Sequence, residues 1–222
     1  MQGLPPTLVI AIDGPGGSGK STVSRGVAAA LGLRYLDTGA MYRAVAWLAL
    51  HRNTPLDDAE ALTALADEAR LELTTTASPV TVHADGTDVT TAIRSDDVTA
   101  AVSQVSAVPG VRTAMVRRQR EIIGAGGIVV EGRDIGTTVA PDAAVKVFLT
   151  ADERVRAERR ALETAGAVAS TKDALARRDA HDSGRAASPL TQAADAMVID
   201  STALSIEDVV AQIVAAARAA KP

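Results

Sequence analysis

Residues 7–13, Thr-Leu-Val-Ile-Ala-Ile-Asp, form an unbroken apolar run rich in β-branched side chains. They lead straight into Gly14-Pro-Gly-Gly-Ser-Gly-Lys-Ser21. An apolar run without alternation is the pattern of a strand buried on both faces, as in a parallel sheet. Residues 21–31 follow with helical spacing at Val23, Val27, Ala30 and Leu31, stopped by Gly32. A buried strand, a glycine-rich loop and a helix in direct succession leave few architectures open.

The alternation continues along the chain. A short strand is predicted over 34–37, helices over 39–50 and 57–69, and a helix opened by Pro109 that ends near Ile123 before Gly124. Further strands are predicted over 127–131, 145–149 and 196–200, and helices over 152–164, 173–185 and 206–219. This order argues for an α/β fold with a parallel sheet and helices on both faces. The pattern changes between residues 71 and 89. Leu71-Glu-Leu73, Val80-Thr-Val82 and Asp88-Val89 alternate, and Asp85-Gly86 is a hairpin signal, so a small antiparallel lobe is inserted there.

With 222 residues the chain reads as one domain with an inserted lobe. Such a length buries about 70% of the unfolded surface without staples. A 47% apolar content excludes disorder as the main state. No cysteine is present, which removes thiolate chemistry and cysteine metal sites. A net charge of -4 and 2% aromatic residues argue against nucleic-acid binding. No segment approaches the ~20 apolar residues of a membrane span, and Leu8–Ile12, with no basic region before it, is too short for a signal core, so a cytoplasmic protein with no membrane partner is expected.

The 14–21 segment fits G-x-x-x-x-G-K-[ST] in the strand–helix context that the motif requires. Glycines let successive backbone N–H groups converge on phosphate oxygens without a Cβ in the way, and the following helix adds its positive N-terminal end. Gly14, Pro15, Gly16, Gly17, Ser18, Gly19, Lys20, Ser21 and Thr22 are therefore candidates for holding ATP. Lys20 would reach the β/γ-phosphates and Ser21 Oγ would ligate Mg²⁺. A GTPase would need Asn-Lys-x-Asp, but the only asparagine is Asn53, followed by Thr54. A motor or helicase wants a longer chain and a strand ending in two acids. A small kinase remains.

There are 19 arginines but four lysines. Most of the arginines read as solvated helix faces. Arg43 and Arg133 differ, because each follows a strand end, where ligands of open α/β sheets gather. They could grip a second anion bidentately. No strong candidate for a general base appears nearby, which favours an acceptor that is already anionic, a nucleoside monophosphate, over a sugar or alcohol.

These residues resemble the bacterial cytidylate kinases. The resemblance is carried by Ile12-Asp-Gly-Pro-Gly-Gly-Ser-Gly-Lys-Ser21, Leu36-Asp-Thr-Gly-Ala-Met-Tyr-Arg43, Ser103-Gln-Val105, Val111-Arg112 and Arg117-Arg-Gln-Arg120. Further on it rests on Glu131-Gly-Arg-Asp-Ile-Gly-Thr137, Arg178-Asp-Ala-His-Asp-Ser-Gly-Arg185 and Asp200-Ser-Thr-Ala-Leu-Ser205. It implies the P-loop nucleoside monophosphate kinase fold: a five-stranded parallel core at about 1–56, 106–150 and 190–222, a monophosphate-binding insert at about 57–105 and a helical lid at about 151–189. It also implies transfer from ATP to CMP or dCMP with Mg²⁺.

Arg43 and Arg133 then look like the acceptor phosphate clamp, with the Thr38 hydroxyl beside it. Ser103 and Asp134 look like acceptors for the cytosine amino group, Arg112 and Arg185 like donors to its O2 and N3 edge, and Arg178 and Asp182 like sugar contacts. Lid closure, with a flexible tip at Gly166, would bring Arg156, Arg159 or Arg160 onto the transferring phosphoryl group. The adenine is expected near residues 201–205, and a monomer is expected. Glu131 reads either as a distant Mg²⁺ contact or as a strand-end charge making a structural hydrogen bond. Two rivals stand beside this reading: a small P-loop kinase for another monophosphate or metabolite, and a protein that holds ATP without transferring phosphate.

Overall fold

The computed structural model describes residues 5–164, 168–185 and 188–220. The chain divides into two compact units, one of Met1–Tyr35 with Ala125–Pro222 and the other of Leu36–Gly124.

The first unit is built on a five-stranded sheet. Its strands are β1 (Val9–Asp13), β2 (Arg34–Asp37, whose first two residues fall in this unit), β6 (Ile128–Gly132), β7 (Val145–Thr150) and β8 (Met197–Asp200). The order is β2-β6-β1-β7-β8, and β1 pairs in parallel with both β6 and β7, as β7 does with β8. Central position explains the unbroken apolar run: Ile10, Ala11 and Ile12 are fully buried, and so are Ile128, Val129 and Val130 beside them. β8 at the edge is half solvated, with only Ile199 buried.

Helix α1 (Lys20–Leu31) follows β1 and ends on Gly32, as the sequence predicts. It packs on α8 (Ile206–Ala219), which buries Val209, Ile213, Val214 and Ala217 on one face. A capping box between Ser205 and Asp208 opens α8. Helices α6 (Glu153–Thr164) and α7 (Val168–Gly184) pack on each other. Helix α7 starts five residues before the predicted position, because residues 168–172, Val-Ala-Ser-Thr-Lys, contain neither glycine nor proline to stop it. Gly166, the predicted lid tip, lies outside the described residues.

The second unit holds α2 (Thr38–His51), α3 (Ala59–Glu68), a three-stranded antiparallel sheet, α4 (Asp96–Ala107) and α5 (Pro109–Ile123). Its sheet is β3 (Leu71–Leu73), β4 (Val82–Ala84) and β5 (Thr87–Asp88), in that order. The predicted middle strand, 80–82, lies two residues too early. The Asp85-Gly86 turn, with φ of 50° and 81°, sets where β4 must end and so fixes its pairing. Asp37, Asp58 and Ser95 each accept a hydrogen bond from a first-turn amide of the helix they open.

Candidate functional site

The loop after β1 is where the first unit concentrates charge. Two of its glycines are required by close approach. Gly14 has a φ of 149°, and a Cβ there would lie 2.0 Å from the Leu149 carbonyl oxygen of β7. Gly17 has a φ of 72°, and its Cβ would lie 2.5 Å from the Arg156 carbonyl of α6. Only glycine allows the loop to wrap this tightly between β7 and α6.

Lys20 opens α1, and its ammonium donates to Pro15 O at 2.7 Å within the loop. Burial, reinforced by the charges of Arg133 and Arg178, pulls it from 10.5 to about 7, while Glu131 and Asp13 act in the opposite direction. Ser21 is exposed on the first turn of α1.

Asp13 terminates β1 beneath this loop and is 5% exposed. Its two carboxylate oxygens accept from Ile135 N and Gly136 N, each at 2.8 Å. Burial raises its carboxyl from 3.8 to about 6 despite these two bonds. The same acid thereby fixes the segment after β6 that carries Arg133 and Asp134. That segment closes on itself as a π-type turn over Ile135–Val139, with Thr138 N and Val139 N donating to the Asp134 carbonyl. Glu131, at the end of β6, is buried and accepts the Tyr35 hydroxyl, the structural bond that was one of its two readings.

Four arginines and two acids of α7 form one cluster at the loop. Arg133 donates to the Gly14 carbonyl, and its Nε lies 3.0 Å from Asp182 Oδ2. Arg156 Nη1 donates to Gly16 O at 3.0 Å and pairs with Asp179, and its Nε donates to Ala151 O. Arg178 and Arg185 approach Asp182 at 3.9 and 3.7 Å. Burial lowers Arg178 to about 10, with Arg133 adding to the effect. These four guanidiniums and Lys20 gather at one loop, with Asp179 and Asp182 among them and Asp13 and Glu131 close enough to act on Lys20. Cations held at a glycine loop that opens a helix are suited to bind a polyanion.

The three predicted lid arginines separate. Arg156 and Arg159 both reach the loop, whereas their neighbour Arg154 makes the i,i+4 surface pair with Glu158 at 2.9 Å. Arg159 donates to Ser201 Oγ at 2.9 Å and to Ser201 O at 2.8 Å, and lies 3.5 Å from Ser18 O. Ser201 is itself buried and donates to Thr150 O at 3.0 Å. Arg160 is half-buried, and its charge bears on Arg178.

Thr38, Arg43, Ser103 and Arg112 lie in the second unit, while Arg133, Asp134, Arg178, Asp182 and Arg185 lie in the first. Within the second unit Thr38 is buried on the first turn of α2. Arg43 Nη1 donates to Ile93 O at 3.0 Å and to Thr99 Oγ1 at 2.9 Å, which fixes its guanidinium on α2. Arg112 is buried on α5, donates to Ser106 O at 3.3 Å and lies 5.3 Å over the Tyr42 ring. Ser103 is half-buried on α4.

Sequence reasoning missed Asp13 and Asp179 as parts of the site, although a signal existed for both. Asp13 is an acid ending a fully apolar strand, and Asp179 stands three residues before Asp182 on one helix, hence on the same face. Ser201, which the sequence reading sets near the adenine, receives Arg159. Among the described residues no helix is long and apolar enough to cross a membrane, and no group of three or more acidic or histidine side chains could hold a metal by itself.

The cytidylate kinase family model matches residues 10–219. The chain is 56% identical over 214 residues to a bifunctional pantoate ligase/cytidylate kinase of Synechococcus sp. (strain JA-3-3Ab), matching over 93% of this chain and 40% of that protein's length. It is 49% identical over 212 residues to a cytidylate kinase of Streptomyces avermitilis, covering 94% of this chain and 92% of that one. Among solved structures, a gluconokinase of Sinorhizobium meliloti is similar with a TM-score of 0.50 at 17% identity, over 97% of this chain and 94% of that one. An uncharacterized protein of Eubacterium ventriosum gives 0.55 at 10% identity, over 96% and 99%. At such identities these two likenesses concern the fold alone.

Proposed function

This chain belongs to the cytidylate kinase family, and we propose that it transfers the γ-phosphoryl group of ATP to CMP or dCMP, giving ADP and CDP or dCDP. The observation that carries the reading is the gathering of guanidinium groups and Lys20 at the glycine loop, with Arg133 and Arg156 on its carbonyls and Lys20 opening α1. A loop that only turned the chain would have no use for so many cations.

In this reading residues 14–22 hold the β- and γ-phosphates and Lys20 spans them. A phosphate oxygen of CMP attacks the γ-phosphorus, and the bond from that phosphorus to the β,γ-bridging oxygen breaks. ADP leaves with the electron pair. The acceptor oxygen is already anionic, so no side chain has to take a proton. Arg43 and Arg133 neutralise the acceptor phosphate, and Arg156, Arg159 and Arg160 serve the transferring group. Fixing these groups before reaction is most of the catalysis. Arg156 is already fixed on the Gly16 carbonyl, Arg133 on the Gly14 carbonyl and Arg43 on Ile93 and Thr99.

The donor set suits Mg²⁺, which takes one or two protein oxygens and completes its shell with phosphate and water. Ser21 Oγ, exposed beside Lys20, is the ligand we assign. The ion held there would supply neutralisation of phosphate charge.

Cytosine offers a donor at N4 and acceptors at N3 and O2, whereas uracil reverses the pattern at position 4 and N3. Ser103 and Asp134 are assigned the amino group, Arg112 and Arg185 the acceptor edge, and Arg178 and Asp182 the sugar. Unpaired groups left by the wrong base can give discrimination of order 10⁴. The 57–105 segment is assigned as the monophosphate-binding insert and 151–189 as the lid, whose closure keeps water from competing as acceptor. We assign a monomer in the cytoplasm with no nucleic-acid partner.

A coupled ADP-release assay with Mg-ATP against CMP, dCMP, UMP, AMP, GMP and shikimate tests the reading. Turnover with CMP and dCMP, and little with the others, is expected. ADP release that ignores CMP, or that prefers another acceptor, rejects it.

A further inference from the structure

One amide of the glycine loop is taken by an acid of the same chain. Gly16 N donates to Asp179 Oδ1 at 3.1 Å. The other carboxylate oxygen of Asp179 pairs with Arg156, and Arg133 Nη2 lies 3.8 Å from Oδ1. A single side chain on α7 therefore holds a loop amide and draws on two guanidiniums. An anionic oxygen of a nucleotide phosphate asks for the same set of donors, because carboxylates and phosphates both accept charge-assisted bonds from backbone N–H and from arginine. Two anions cannot hold one set together, and placed side by side they repel.

Asp179 is also connected to the residues assigned to the acceptor. One helical turn further along α7, Asp182 takes Arg133 Nε at 3.0 Å, with Arg178 and Arg185 close by. Arg133 thus bridges Asp179 and Asp182, two acids on one face of one helix. A phosphate arriving at Gly16 and Arg156 would release Asp179 from both, and Arg133 would lose one of its two carboxylate partners.

We propose that Asp179 is a positioning residue that competes with the donor's phosphate for Gly16 N–H and Arg156, so that donor binding displaces it and leaves Arg133 with Asp182 as its one carboxylate partner. This rests on the reading of 14–22 as the donor site. Asp179 sets donor affinity downward: the chain holds its arginines in place with an internal anion and gives up that anion when the polyphosphate arrives. A merely supporting role, in which Asp179 orients Arg156 toward phosphate, predicts the opposite sign, because losing the support would weaken binding.

The test measures the Kd of inorganic tripolyphosphate by calorimetry, without CMP, for the whole chain and for Asp179→Asn. Asparagine keeps the size and removes the charge. Asp179→Ser serves as the second neutral variant should the first be poorly folded. Tightening of at least about fivefold is expected, since a competing charge-assisted contact is lost. The KM for ATP should fall in the same proportion, without a matching rise in kcat. Unchanged or weaker tripolyphosphate binding in the folded variants overturns the proposal. If the unmodified chain binds tripolyphosphate and phosphorylates CMP while the variants bind no tighter, this inference fails and the kinase reading stands. If the unmodified chain does neither, the donor site itself is misassigned and the inference falls with it.

Discussion

Replacing Asp13 by asparagine probes the buried link between β1 and the segment that carries Arg133 and Asp134. Asp13 is 5% exposed and its carboxyl is raised from 3.8 to about 6, chiefly by burial. The folded chain therefore binds this proton more tightly than the unfolded chain does. The resulting stabilisation is complete below pH 3.8 and disappears as the pH rises through 6. At 1.36 kcal/mol per pH unit the whole span is about 3 kcal/mol. Between pH 4.5 and 7.5 it is about 2 kcal/mol, since part of the titration lies below that window.

Asparagine does not titrate. The urea-unfolding free energy of the unmodified chain minus that of Asp13→Asn should therefore fall by about 2 kcal/mol across those pH values, other groups cancelling in the difference. Asparagine offers one acceptor for two amides, Ile135 N and Gly136 N, so one buried N–H loses its partner. That adds a pH-independent cost to the variant of about 1–3 kcal/mol. In the enzyme assay the KM for CMP should rise more than the KM for ATP, because the loosened segment bears Arg133 and Asp134. A stability difference that is flat, or that grows with pH, refutes the picture of a carboxyl held dry beneath the loop.

Three further substitutions have defined outcomes. Lys20→Ala should lower kcat by about 10²–10³ with the thermal transition retained, and near-normal turnover would contradict the loop assignment. Because burial holds the Lys20 ammonium below its ordinary value and phosphate favours its charged form, binding tripolyphosphate at pH 8 should take up more protons in the unmodified chain than in Lys20→Ala, read by calorimetry in buffers of different ionisation enthalpy. Equal proton exchange in the two would mean that Lys20 does not meet the phosphates. Arg185→Met should raise the KM for CMP by about tenfold or more while moving that for ATP little, and equal rises would assign Arg185 to the donor side or to structure. Gly14→Ala places a Cβ 2.0 Å from the Leu149 carbonyl and should cost roughly 3 kcal/mol or more of stability, measured by urea unfolding. An alanine variant of wild-type stability would show that the β1–β7 approach is looser than described.

The central sheet was legible because its strands are buried on both faces. Burial of that kind writes an unbroken apolar run, carried by residues 9–12 and 128–130, whereas β7 is interrupted by Lys146 and buries only alternate residues. The hairpin at Asp85-Gly86 was legible because two positive φ angles demand that chemistry, yet the strand before it was misplaced by two residues. Short strands with weak alternation take their bounds from the turn and not from propensity. The phosphate loop announced itself by residue type. Arg133 and Arg156 were named from the sequence, but their hold on the loop was not, because it acts through backbone atoms: they bind the carbonyls of Gly14 and Gly16, as Ser201 binds that of Thr150. A carbonyl partner leaves no complementary side chain in the sequence to be noticed. Asp179 was hidden differently, as one of three aspartates on α7, with a partner that is an amide 163 residues away.

Following the phosphorus atom itself tests the central claim most directly. ATP labelled in its γ-phosphoryl group is incubated with CMP, Mg²⁺ and the purified chain, and the products are separated. The account predicts label in the β-phosphoryl of CDP, formed at a rate equal to ADP release. Label that appears as inorganic phosphate, or that stays in ATP while CMP is unchanged, would contradict it.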